Sequence, residues 1–203
     1  ELTVKECIAG TLSFNGQRCT AIKMILVHQA IADQFLRRFN EEIAKLKIGM
    51  PWEKGVMLTP LPEMQKVDYM NECIADAVAQ GAKVLNADGG SSVDTLFYPA
   101  VVFPVKAGMK LYREEQFGPV IPVIPFDTEQ EAITLANDTW GGLCGSVWTA
   151  DPDAAQRVGS QLECGYVWVN DHGATRLDLR APFGGMKQSG NGHDKSLHAL
   201  DKY

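Results

Sequence analysis

Along most of this chain, short runs of β-branched and apolar residues alternate with longer stretches whose apolar positions recur every three or four residues. Val4, Cys7, Ile8 and Leu12 stand at helical spacing, and Gly16 is the kind of residue that follows a helix C-terminus. Residues 21–28 read as a strand, after which Ile31, Phe35, Phe39, Ile43 and Leu46 mark one face of an amphipathic helix. Val67, Met70, Ile74, Ala77 and Val78 mark another, which ends near Gly81 and leads into a strand-like stretch at 83–85. Residues 97–103 and 120–126 have strand composition. Proline donates nothing to a ladder, so Pro99, Pro122 and Pro125 predict that each of these strands is an edge or is interrupted.

The alternation continues to the closing segment. Thr128 and Glu131 form a capping box for a helix through Asn137, and Asp151 followed by Pro152 opens the next helix. Strands are predicted at 144–149 and 165–170, then an irregular, glycine-rich stretch through Gly192 and a last helix from Asp194. Parallel strands need crossover connections, so the pattern predicts an α/β fold: a largely parallel twisted sheet flanked by helices, with residues 1–203 as one domain.

With 45% hydrophobic residues among 203, the chain can bury a sizeable core. A net charge of −6 and scattered lysines and arginines give no footprint for nucleic acid. No apolar run reaches the roughly 18 residues that span a bilayer, and no secretory leader opens the sequence, so no membrane partner and a cytoplasmic location are expected. The five cysteines are odd in number and lack C-x-x-C spacing, which predicts reduced thiols and no metal site. The start at Glu1 and the stop at Tyr203 without a closing strand suggest a piece of a longer enzyme.

Three segments carry the chemistry. Cys19 lies in Phe14-Asn15-Gly16-Gln17-Arg18-Cys19-Thr20, between a predicted helix and a predicted strand and beside a cation, a setting that favours thiolate. Glu114-Glu115-Gln116-Phe117-Gly118-Pro119-Val120 joins two carboxylates to an aromatic turn before a strand. The loop from Pro182 to Gly192 is rich in glycine but has neither a Walker A ending nor G-x-G-x-x-G spacing, so it reads as a turn rather than a phosphate cradle.

In this order and at this separation, the three segments resemble the aldehyde dehydrogenase superfamily, and the likeness covers essentially the whole chain, Val167-Trp168-Val169-Asn170 included. The resemblance implies an oxidoreductase that converts an aldehyde to a carboxylic acid with NADP or NAD, as a homo-oligomer (dimer or tetramer) when intact. It implies Cys19 as nucleophile, Glu115 as the holder of the nicotinamide ribose hydroxyls and Phe117 packed near the nicotinamide ring. A thiolate would add to the aldehyde carbon, N–H donors would stabilise the oxyanion, and a thioester left after hydride loss would be cleaved by water.

The family's general base is a glutamate further upstream than the eighteen residues that precede Cys19. By the same resemblance, the cofactor-binding domain and the oligomerisation tail lie outside this stretch, and the stretch alone is expected to be inactive. Gly16-Gln17-Arg18-Cys19-Thr20-Ala21 looks like the non-phosphorylating glyceraldehyde-3-phosphate dehydrogenase branch. That likeness implies Arg18 and Arg176 as substrate-binding residues for a small anionic or phosphorylated aldehyde, since guanidinium forks pair with phosphate oxygens. The alternatives within the family are semialdehyde, aminoaldehyde or general small-aldehyde oxidation. Outside it stand a cysteine hydrolase using Cys19 with His28, His172, His193 or His198, and a non-catalytic interaction domain.

Overall fold

A computed structural model describes the chain except Ala174–Arg176 and Tyr203, and leaves the side chains of His198, Asp201 and Lys202 undescribed. Arg176 and the side chain of His198, both singled out above, thus lie outside the described residues. Two compact units divide the chain: Cys7–Asp127 forms one, and Glu1–Glu6 with Thr128–Tyr203 the other.

The unit of Cys7–Asp127 takes most of helix α1 (Leu2–Leu12), a 3-10 turn at Ser13–Gly16, strand β1 (Ile25–His28) and helix α2 (Gln29–Ile43). Short strands β2 (Lys47–Ile48) and β3 (Val56–Leu58), helix α3 (Met64–Ala79) and strand β4 (Lys83–Val84) follow. A hairpin of β5 (Ser92–Val93) and β6 (Leu96–Phe97), then β7 (Ala100–Phe103), the single-turn helix α4 (Lys110–Arg113) and β8 (Val120–Phe126) complete it. The main sheet among the described residues has the order β1-β8-β7-β4; β8 is parallel to both its neighbours, and β4 is antiparallel to β7. The mixed α/β class expected from the alternation is the one observed.

Two of three local expectations change. The buried face of α2 is Ala32, Leu36, Phe39 and Ile43, while Ile31 is 53% exposed and Leu46 falls beyond the helix end. Adjacent helical positions differ by only about 100°, so periodicity finds the stripe without fixing its edge. Phe35 stays half-buried and stacks on Phe39 at 5.4 Å between ring centroids. The stretch 97–103 is broken as predicted, into β6 and β7 on either side of Tyr98-Pro99.

The strand 120–126, by contrast, is unbroken and sits inside the sheet despite two prolines. Its register explains why. Residues 120–122 pair with β7 and 123–126 with β1, so Pro122 faces Val102 and Pro125 faces Val27, each with a ladder on one side only. An absent N–H costs little where no partner waits for it. The core around this sheet includes Val27, Phe39, Met70, Cys73, Val101, Val102, Ile121 and Val123, all buried, with neighbours such as Val101 and Val102 on opposite faces.

In the other unit, Thr128 Oγ1 accepts from the Glu131 backbone at 3.2 Å and opens α5 (Glu129–Asn137). It continues with β9 (Gly141–Gly142) and β10 (Cys144–Val147). Asp151 Oδ1 accepts from Asp153 N at 2.9 Å and opens α6 (Pro152–Gly159), as its sequence predicts. Strand β11 (Tyr166–Val169) lies parallel to β10. The glycine-rich stretch is more ordered than expected: β12 (Phe183–Gly184) pairs with β14 (His193–Asp194), and β13 (Met186–Lys187) with β9, both antiparallel. A 3-10 turn, Leu197–Lys202, stands where a last helix was expected. Among the described residues no helix is long and apolar enough to cross a membrane.

Candidate active site

Cys19 separates itself from the other thiols by exposure. Cys7 and Cys73 are buried on α1 and α3, Cys144 and Cys164 are half-buried at β10 and β11, and Cys19 alone is exposed among the described cysteines. Burial raises the Cys73 and Cys164 thiols above their ordinary value, which leaves them poor nucleophiles.

The loop that presents Cys19 is built by a reversal of backbone hand. Phe14, Asn15 and Gly16 all lie in the left-handed region, with φ of 54°, 59° and 70°. Such conformations cost a non-glycine residue about 1–2 kcal/mol each, so something must hold them. The buried Asn15 side chain does so: its Nδ2 donates to Thr59 Oγ1 at 3.1 Å, and its Oδ1 accepts from Thr59 N at 2.9 Å. Gly16 fits because nothing larger could; a Cβ there would stand 2.7 Å from the Gly118 carbonyl oxygen and 2.8 Å from that of Thr11.

That contact joins two of the three segments singled out in the sequence. Gly118 belongs to the acidic turn, and a second tie runs from Gln116 Nε2 to the Lys23 carbonyl at 2.9 Å and to that of Val120 at 2.8 Å. Lys23 in turn sends its ammonium to the carbonyls of Tyr112 and Leu111, at 2.9 and 3.3 Å. Burial pushes the Lys23 amine down to about 8, against the upward pull of Glu115 and Cys73. Sequence reasoning passed over Lys23; a lysine inside a run of apolar residues, Ala21-Ile22-Lys23-Met24-Ile25, was the signal available.

Within the turn the three polar residues have different fates. Glu114 accepts from Tyr69 Oη at 2.7 Å, and Gln116 is buried and tied as described. Glu115 is exposed, and its carboxylate accepts no hydrogen bond among the described residues. Phe117 is half-buried, with φ at 46°, and Lys66 Nζ lies 5.8 Å from its ring centroid and 5.1 Å from that of Tyr69. An exposed carboxylate and an aromatic ring are thus carried two residues apart on a turn that Gln116 and Gly118 tie to the cysteine loop and to Lys23.

Arg18 is engaged by its own loop and by α1: Nη1 donates to Thr20 Oγ1 at 2.9 Å and Nη2 to the Gly10 carbonyl at 3.3 Å. Asp178 pairs with Arg180, which holds the carboxyl down at about 2. Two of the histidines weighed for a hydrolase have other work. His28 Nδ1 accepts from Ala30 N at 3.1 Å and caps α2, while His172 Nδ1 lies 3.0 Å from Ser146 Oγ with its ring packed on Trp168.

The closing loop owes its glycines to backbone packing. A Cβ on Gly184 would stand 2.1 Å from the Gly192 carbonyl oxygen, and one on Gly165 would stand 1.7 Å from that of Gly184. This is a turn compressed onto a strand end, in keeping with its reading as a turn.

An exposed cysteine thus stands in a loop locked to an acidic-aromatic turn, within a mixed α/β unit. The family model for the aldehyde dehydrogenase family matches residues 1–203, and the chain belongs to that family. It is 37% identical over 204 residues to a mitochondrial succinate-semialdehyde dehydrogenase of Oryza sativa subsp. japonica, covering 100% of this chain and 38% of that protein. It is 35% identical over 201 residues to the peroxisomal aminoaldehyde dehydrogenase 1 of Pisum sativum, covering 97% of this chain and 39% of that protein. Betaine aldehyde dehydrogenase from Staphylococcus aureus, solved in complex with NAD+, superposes with a TM-score of 0.91 at 35% identity, covering 100% of this chain and 41% of that one. The chain therefore spans about 40% of the length of the relatives it matches.

Proposed function

We propose that this chain is the cysteine-bearing portion of an NAD(P)-dependent aldehyde dehydrogenase and that Cys19 is its nucleophile. The observation that carries the reading is the exposed Cys19 thiol on a loop anchored by Asn15 and pressed through Gly16 onto the acidic turn. Cys19 adds to the aldehyde carbon to form a thiohemiacetal, and after two-electron oxidation it carries the acyl group as a thioester that water cleaves. The residues present fit a nicotinamide cofactor: Glu115 offers an exposed carboxylate that accepts no hydrogen bond among the described residues, suited to ribose hydroxyls, and Phe117, two residues on in the same turn, offers an aromatic ring. When bound, the cofactor supplies the hydride acceptor.

For the substrate, the semialdehyde and aminoaldehyde classes named for the relatives have the better support. The glyceraldehyde 3-phosphate alternative draws on Arg18, whose two terminal nitrogens already donate to Thr20 and to the Gly10 carbonyl, and otherwise on Arg176 alone.

The test uses the full-length enzyme that contains this chain. Cys19→Ser should lower aldehyde oxidation by about a thousandfold or more while leaving cofactor binding nearly unchanged, because a hydroxyl is far less nucleophilic than a thiolate. Turnover at the unsubstituted rate would remove Cys19 from the mechanism. In the same preparation, kcat/KM for succinic semialdehyde or 4-aminobutyraldehyde should exceed that for glyceraldehyde 3-phosphate by about tenfold, and the reverse order would restore the phosphate reading.

A further inference from the structure

Lys23 is joined to the acidic turn at both of its ends. Its side chain reaches back to the last carbonyls of α4, Leu111 and Tyr112, which a helix C-terminus leaves without intrahelical partners. A cation at that end also meets the negative pole of the helix. Its backbone carbonyl receives the Gln116 amide, two residues before Gly118, the neighbour of Gly16. Between these two attachment points lie Glu114 and Glu115, with Phe117 immediately beyond, and Lys23 itself is only four residues from Cys19. The charged and titratable groups that face its ammonium are Glu115 of the turn and Cys73 of α3; Glu115 is also faced by Lys66 of α3.

We propose that Lys23 is a positioning residue whose protonated side chain caps α4 and thereby holds the turn bearing Glu115 and Phe117 in register with the cysteine loop. This rests on the reading of Glu115 as a cofactor-binding residue. A buried lysine is a costly way to satisfy two carbonyls, and a neutral donor would serve packing alone equally well. What the ammonium adds is a charge-assisted bond to each carbonyl and a cation beside the Glu115 carboxylate. Because burial brings this amine down to about 8, the clasp has a pH at which it weakens.

Cofactor dissociation constants in the full-length enzyme, read by NADH fluorescence without turnover, test the assignment. From pH 7 to about 9.5 the unsubstituted enzyme should lose about tenfold in affinity, the difference between a charged and a neutral donor. Lys23→Arg, which stays protonated, should bind with little pH dependence, and Lys23→Met should bind weakly throughout. In steady state, Lys23→Met should raise the cofactor KM while kcat at saturating cofactor changes less than about twofold, as expected when binding is lost uniformly. Parallel pH profiles for the unsubstituted enzyme and Lys23→Arg would overturn the proposal even where Lys23→Met fails to fold. Glu115→Gln separates the two layers. If it weakens cofactor binding while the profiles run parallel, only the role of Lys23 falls; if it leaves binding unchanged, the Glu115 reading falls and the proposal with it.

Discussion

Two junctions in this molecule are built by the same device and serve different ends. At one, Gly16 lies against the Gly118 carbonyl; at the other, Gly184 lies against that of Gly192. Each is a place where a side chain would stand inside a neighbouring backbone. Around Gly16, however, the chain is left-handed for three residues, a buried asparagine is spent on holding it, and an exposed thiol and an open carboxylate stand nearby. Around Gly184 the polar backbone is taken up by two-residue ladders, and Lys187 Nζ is bound to the carbonyls of Asn137 and Thr139 and to Glu163. Glycine content alone marks close packing; the two junctions differ in the exposed thiol and exposed carboxylate that stand at only one of them.

The comparison can be broken most directly by adding a methyl group at each junction. Gly16→Ala and Gly184→Ala should each destabilise the chain by about 2–4 kcal/mol, because the obstacle is backbone in both cases. Urea unfolding measures this, and a loss below about 0.5 kcal/mol at either site would mean that the junction yields. Only Gly16→Ala should also change the alkylation rate of Cys19, followed by mass spectrometry of the iodoacetamide adduct. An equal change caused by Gly184→Ala would end the distinction between the two.

A smaller effect is expected at the anchor. Asn15→Ala removes both bonds to Thr59 from a buried site and should cost about 1–3 kcal/mol, with faster backbone exchange at residues 14–19. Unaltered exchange there would show that Gly16 alone sets the loop.

A different kind of effect is the pH dependence of stability that Lys23 contributes. Its folded value, about 8, lies below the ordinary 10.5, so between these values the unfolded chain binds more proton than the folded one. Stability from this group therefore rises with pH across that window and is at its lowest, and constant, below it. Lys23→Met should flatten the rise in urea midpoints measured at about pH 8, 9 and 10; the same slope in both proteins would contradict it. The sign is opposite to that expected for cofactor affinity, which allows folding and positioning to be told apart.

Much of this was legible in the residues. Thr128 and Asp151 cap their helices as predicted because a cap is a contact between neighbours in sequence. Cys7 and Cys73 are buried where helical spacing assigns them to apolar faces, and the family likeness of the three segments is borne out over residues 1–203. The buried stripe of α2 holds Phe39 and Ile43 as its spacing predicts, but at its start Ala32 and Leu36 are buried rather than Ile31 and Phe35, because only the surface beneath decides which edge of the stripe is covered.

What the sequence alone determined about this protein was therefore the order and type of most elements, the α/β class, the helix caps and the family. All of these rest on interactions within a few residues or on the motifs as written. Tertiary structure decided that Pro122 and Pro125 could stand inside a sheet, since each meets a ladder on one side only. It decided that Arg18 is engaged by Gly10 and Thr20, and that Lys23 reaches across 88 and 89 residues to the end of α4. Such pairings are set by register and by which backbone groups remain without partners after the sheet has formed. A lysine in an apolar run shows that an ammonium will be buried; only the assembled fold supplies the carbonyls that receive it.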